Sequence, residues 1–126
     1  RRKRLIEFKE IGNITKIVLS EHGKKYVLKY EYDKMETRKP KIWDKKWRLV
    51  MFDIPEKKKS ARDAMRLKLR ELGLVKFNDS VWIYPYDCRN EVDFVAEFWH
   101  IGKYVNYAEA SSITNQHHLI KEFKLN

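Results

Sequence analysis

Cysteine is all but missing from this sequence. Cys88 stands alone, which excludes an internal disulfide and fits a reducing compartment, so the expected location is cytoplasmic. One Cys and four His give no zinc-ligand spacing. No apolar run approaches the length needed to cross a bilayer, and no leader-like segment opens the chain, so no membrane span is expected. Walker-type phosphate loops, GxSxG elbows and dinucleotide fingerprints are absent. Negative charge is also in short supply: 18 Asp and Glu face 28 Lys and Arg, a formal net charge of +10. That surplus favours a polyanionic partner, by attraction and by counterion release, and DNA is the leading one. An anionic membrane surface is the competitor.

What is present suffices for a core. Apolar residues make up 43% and aromatics 13% of 126 residues, enough for one compact domain, or a small domain with an appendage. The chain is organised around Trp47-Arg48-Leu49-Val50-Met51-Phe52-Asp53-Ile54-Pro55. Leu49 to Phe52 has the length and continuous apolarity of a strand buried on both faces. Asp53 closes it, and Pro55 prevents the ladder from continuing. Lys57, Lys58 and Lys59 follow, then a helical pattern. A central strand that delivers one carboxylate to a basic loop marks either a site or a turn.

Before that strand, four cations open the chain, Arg1-Arg2-Lys3-Arg4. Leu5 to Ile11 and Ile14 to Leu19, with Gly12-Asn13 between them, read as a β-hairpin. Ser20 then caps a helix whose apolar stripe is expected at Tyr26, Val27, Tyr30 and Met35. Hairpin and helix together resemble the wing and closing helix of a winged helix-turn-helix domain, whose recognition helix would precede Arg1. A start without Met fits a chain that begins inside a longer protein. The polar stretch around Pro40 reads as a linker, with Ile42 and Trp43 pinning its far end.

From Trp47 the expected order is strand, helix, strand, strand, helix, strand. The first helix is expected to begin at a capping box, Ser60 with Asp63, and to stop at Gly73. Ala61, Met65, Leu69 and Leu72 face inward, and Arg62, Arg66 and Arg70 form a cationic stripe. Strands follow at 74–77 and 80–86. A second helix over Val92, Val95, Ala96, Phe98 and Trp99 ends at Gly102, and a last strand runs over 103–110. A short terminal helix, capped at Thr114-Asn115, carries Leu119, Ile120 and Phe123. This is a ferredoxin-like βαββαβ arrangement of the α+β class. The expected organisation is 1–34 hairpin and helix, 35–46 linker, 47–112 ferredoxin-like domain and 113–126 terminal helix. Trp82, Tyr84, Tyr86 and Tyr107 exceed what one helical layer covers, so a homodimer through the open sheet face is expected.

Three blocks carry a family resemblance: 47–56 (WRLVMFDIPE), 62–73 (RDAMRLKLRELG) and 80–85 (SVWIYP). They resemble the central domain of the PaaX-type transcriptional repressors over roughly 47–110. That domain is itself similar to the CRISPR-associated Cas-two proteins, small ferredoxin-like homodimers of spacer acquisition, some described as metal-dependent endonucleases. The resemblance implies a DNA-binding transcriptional regulator that needs no cofactor to bind. It also implies an alternative, an Mg- or Mn-dependent nuclease in which Asp53 of each subunit holds the metal, or a scaffold for CRISPR adaptation proteins. Asp53 is then the catalytic and metal-ligating candidate; its structural reading is a carboxylate that caps the following turn. The chain ends well short of the repressors' C-terminal region, so their acyl-CoA response is not carried over. It also begins well before the strand that opens a minimal Cas-two protein.

The nucleic-acid contacts expected from charge are Arg1, Arg2, Lys3, Arg4, Lys9, Lys16, Lys58, Lys59, Arg62 and Arg66. Asp44, Asp79, Asp87 and Asp93 have no spacing that makes them second metal ligands. His117 and His118 are adjacent on a short helix and point apart. Cys88 has no base beside it and reads as a free thiol. Trp82, Tyr84 and Tyr86 read as burial rather than a base-stacking platform.

Overall fold

A computed structural model describes residues 6–11 and 14–126, with side chains from Ser20 onward. The chain divides into two compact units, residues 1–35 and 36–126.

In the first unit, β1 (Ile6–Ile11) and β2 (Ile14–Leu19) pair antiparallel, from Ile6 opposite Leu19 to Ile11 opposite Ile14. The expected Gly12-Asn13 tip lies outside the described residues. Helix α1 (Glu21–Lys34) starts where the cap signal places it: the Gly23 amide donates to Ser20 Oγ at 2.9 Å. Its expected apolar stripe is not the buried one. Tyr26 and Tyr30 are 57% and 55% exposed, while Gly23 and Tyr32 are buried. Apolar side chains are spread around this helix, so spacing does not single out an inward face.

The second unit has the expected βαββαβ order: β3 (Trp47–Phe52), α2 (Lys59–Glu71), β4 (Val75–Asn78), β5 (Val81–Tyr84), α3 (Arg89–Phe98) and β6 (Val105–Ala110). The sheet order is β4-β5-β3-β6, every pairing antiparallel. It is an α+β fold, with β3 central as its apolar run requires. Register sorts the faces: Val50 opposes Trp82 and Arg48 opposes Tyr84, while Leu49 opposes Ile83. Val50, Phe52, Trp82 and Tyr84 are buried on the helix side, along with Met65, Leu69, Val92 and Val95. Trp47, Ile83 and Leu119 form a second core on the opposite face, joined by Leu49, Ile120 and Phe123. The short helix α4 (His117–Glu122) therefore covers one end of the face expected to be open. The aromatic surplus is corrected with it: Trp82 and Tyr84 lie beneath the helices, since β5 presents them there by its two-residue alternation.

Helix ends differ in detail. α3 stops at Phe98, short of Gly102, which instead opens a 3-10 turn, Gly102–Tyr104. Trp43 packs on Trp47 at 4.8 Å between ring centroids, but Ile42 is 84% exposed and pins nothing. After α2, Gly73 takes φ +101°, and a Cβ there would meet Tyr84 Cε1 at 3.3 Å. The Tyr84 hydroxyl lies 2.7 Å from Thr37 Oγ1, which donates to Leu72 O at 2.9 Å.

Arg48 is the buried cation of the sheet, 5% exposed. Nη1 and Nη2 grip Asp44 at 2.8 and 2.7 Å, Nη1 also reaches Lys46 O at 3.1 Å and Pro85 O at 3.0 Å, and Nε reaches Glu109 at 3.2 Å. The guanidinium beside Asp44 holds that carboxyl below its ordinary value.

These contacts lead to two expectations for stability. Gly73→Ala strains a left-handed backbone against the Tyr84 ring and lowers stability by about 1–2 kcal/mol in urea unfolding. Arg48→Met strips the carbonyls of Lys46 and Pro85 of their donor and costs roughly 2–3 kcal/mol, discounted because both carboxylate partners are half exposed. The Asp44 contribution is full above its ordinary pKa of 3.8 and is lost as pH falls through the lower folded value, so the gap between wild type and Arg48→Met narrows in acid to the part that the carbonyls carry.

Candidate nucleic-acid interface

The end of β3 sits between the starts of its two neighbours. The Phe52 amide donates to Ser80 O and the Asp53 amide to Tyr104 O, both at 3.0 Å. Pro55 then turns the chain into a 3-10 turn (Glu56–Lys58) that runs straight into α2. This corrects the expected Ser60 capping box: the turn winds the backbone early, so α2 starts at Lys59 and Ser60 is already inside it. Lys58 occupies the cap position without a side-chain cap, and the first turn of α2 holds no acid. Among the described residues, the Lys57, Lys58 and Lys59 side chains have no hydrogen-bond or ion-pair partner. Three unneutralised ammonium groups at the positive end of a helix repel one another and its dipole, and together they create an anion-attracting spot.

The arginine stripe behaves differently. Arg62 pairs with Glu56 at 3.2 Å, and Arg62 and Arg66 share Asp63 at 3.7 and 3.8 Å. Arg66 also donates to Asp79 O at 3.1 Å and lies over the Phe52 ring, 5.8 Å from its centroid. Arg70 lies over the Trp82 ring at 5.6 Å. Both guanidiniums thus lie over rings of the aromatic core, in cation–π range. Asp79 accepts from Lys76 at 2.7 Å. That contact foremost, with the fields of Arg66 and Arg62, holds its carboxyl below the usual range. Arg62, Arg66 and Lys76 therefore share one electrostatic neighbourhood. Charge patterning along the sequence does not single out Lys76; the Lys76-x-x-Asp79 spacing across an Asx turn, in which Ser80 N donates to Asn78 Oδ1, is the signal that could have found it.

Asp53 is exposed at the end of the central strand, and its carboxylate has no partner among the described residues. It does not cap the turn. Among those residues, no group of three His, Cys, Asp or Glu side chains could hold a metal. Asp44 is committed to Arg48, Asp79 to Lys76, and Asp87 accepts from the Arg89 amide and the Tyr107 hydroxyl. The described residues of one copy therefore do not supply a site for Mg or Mn, whose binding needs several oxygen ligands.

Of the remaining candidates, Arg1, Arg2, Lys3 and Arg4 lie outside the described residues. Lys9 and Lys16 are register partners across the hairpin, and nothing of their side chains is described. His117 and His118 are both exposed, with ring planes 86° apart. Cys88 is a buried free thiol, and its backbone amide donates to Tyr107 Oη at 3.1 Å. Burial pushes the thiol up to about 12, against the lowering effect of the Tyr107 hydroxyl. Iodoacetamide should accordingly label native Cys88 at least ~100-fold more slowly than a free cysteine, with full labelling in denaturant; rapid native labelling would contradict the buried placement.

No curated protein matches the chain. Residues 40–120, the whole ferredoxin-like unit with the approach to β3 and most of α4, match the family model described as the PaaX protein central Cas2-like domain. The chain belongs to that family.

Proposed function

We propose that this chain is a DNA-binding part of a PaaX-like transcriptional regulator and that it grips the phosphate backbone at the start of α2. The observation that carries this reading is the trio Lys57, Lys58 and Lys59, unpaired among the described residues, at a helix start without a side-chain cap, with Arg62, Arg66 and Lys76 nearby. A fold gains nothing from concentrating unneutralised lysines there, whereas binding to a polyanion does. The +10 charge supports the same partner. Contacts of this kind set affinity and orientation and carry little base specificity. The run Arg1 to Arg4 and the hairpin lysines Lys9 and Lys16 are further cationic candidates in this reading. The regulator works as a homodimer, joined through the part of the sheet face that α4 leaves free, where Met51, Val81 and Ala108 are half-buried.

A second reading, an Mg- or Mn-dependent endonuclease, draws on the free Asp53 carboxylate. It requires Asp53 from each of two copies, and a CRISPR adaptation scaffold is its non-catalytic variant. One experiment separates them: duplex DNA titrated at several salt concentrations, with Mg²⁺, Mn²⁺ or EDTA. The regulator reading expects log K to fall steeply with log salt. It expects the Lys57→Gln/Lys58→Gln/Lys59→Gln variant to lower that slope by about 2–3, at roughly 0.9 for each phosphate that is no longer neutralised. An unchanged slope would sink it. Metal-stimulated cleavage that disappears in Asp53→Asn would establish the nuclease instead, and DNA binding seen only with a protein partner would establish the scaffold.

A further inference from the structure

The two outer strands of the sheet are protected very differently. β4 is four residues long, breaks register between Lys76 and Asn78, and carries a lysine. Short length, a bulge and edge lysines are how sheets discourage a further strand. β6 has none of these. It pairs with β3 without interruption over six residues, from Trp47 opposite Ala110 to Phe52 opposite Val105. Its sequence, VNYAEA, contains no Pro, Lys or Arg. Its outer row of backbone donors and acceptors faces no other strand among the described residues.

Beside this edge lies a cleft of about 280 Å³ between α3 and β6, lined by Asp93, Ala96, Glu97, Gly102, Val105 and Tyr107. Glu97 has no side-chain partner among the described residues. Asp93 has only Arg89 at 3.8 Å among them, both well exposed. Glu109, on the same face of β6, offers its outer side beyond the Arg48 contact. Lys103, next in sequence to the lining residue Gly102, lies over the Tyr104 ring at 5.2 Å from its centroid. A locally acidic, unblunted edge on a strongly cationic chain is therefore selective in sign.

We propose that β6 accepts an added strand from a partner protein, an extended segment in which basic and apolar residues alternate. Val105, Tyr107 and Glu109 share the helix side with Asp93 and Glu97, while Asn106, Ala108 and Ala110 lie on the other face. A docked strand sends its alternate Lys or Arg side chains to the carboxylates and its apolar ones beside Ala108 and Ala110. A second copy is the poorer occupant. Two-fold pairing of β6 with itself would bring two sets of Asp93, Glu97 and Glu109 to one seam, where like charges repel. This inference goes beyond the DNA-binding reading and does not depend on it.

The probe is a fluorescein-labelled Lys-Val-Lys-Val-Lys-Val-Lys peptide, compared by anisotropy with an isomer carrying the same residues in blocks. The alternating peptide should bind the full chain about tenfold tighter than the block isomer, and Asp93→Asn/Glu97→Gln should weaken it about tenfold without changing the melting temperature. Hydrogen exchange should show new protection at alternate amides of Val105–Ala110. Equal binding of the two isomers, or undiminished binding by the variant, would overturn the proposal. So would a peptide-free dimer in which the alternate amides of Val105–Ala110 are already protected from exchange, since that would assign the edge to a second copy.

Discussion

The guanidinium of Arg48 fixes how this sheet is assembled. It holds the entry segment through Asp44 and Lys46 O, the exit of β5 through Pro85 O, and β6 through Glu109. A charge so deeply placed contributes less net stability than its many hydrogen bonds suggest, because desolvation opposes the attraction. Its larger effect is on register. Sliding β3 by one residue would move Arg48 to the face occupied by Trp47, Ile83 and Leu119, a cluster of apolar side chains. The apolar run of β3 could pair in more than one register; one buried cation puts a single register well below its neighbours in free energy.

That constraint explains which features were legible in the sequence. The strand at Trp47 to Phe52, the inward set Met65, Leu69 and Leu72, the Ser20 cap and the Gly73 stop each depend on local chemistry, and each stands where that chemistry puts it. What local chemistry does not encode is which side of the sheet a residue meets. Trp82 and Tyr84 read as a crowd on an open face and instead lie under the helices, because register with Val50 and Arg48 puts them there. Leu67 is 55% exposed while its neighbour Lys68 is 5% exposed. Helical position decides this pair against residue type: Lys68 lies on the arc of Met65, Leu69 and Leu72, its stem buried and its ammonium 3.6 Å from Glu71. The terminal helix α4 is visible in the sequence pattern, but only the tertiary structure shows that it covers the Trp47 end of the sheet.

The candidate interface divides in the same way. Charge counting finds Lys58, Lys59, Arg62 and Arg66 but does not separate cations already used from those left free. Arg62 and Arg66 are engaged with Glu56, Asp63 and Asp79 O, and Arg66 and Arg70 cover aromatic rings. The lysines before them are engaged with nothing among the described residues. This follows the chemistry of the two side chains. A planar, weakly hydrated guanidinium gains from stacking and bidentate pairing, whereas a strongly hydrated ammonium loses less by staying in water until a phosphate arrives.

Asp53 belongs to this same neighbourhood, and its position limits what it can do. It stands just before the basic turn, exposed and unpaired among the described residues. A free carboxylate beside the proposed phosphate-binding spot repels the very ligand that the lysines attract, unless a cation stands between them. Among the described residues of one chain, no second carboxylate joins it to hold such a cation. In the proposed regulator Asp53 trims the affinity of the basic turn; in the nuclease reading it becomes a metal ligand only where a two-fold axis brings its counterpart close. The two readings require different assemblies of one domain, so the geometry of any dimer would tell them apart.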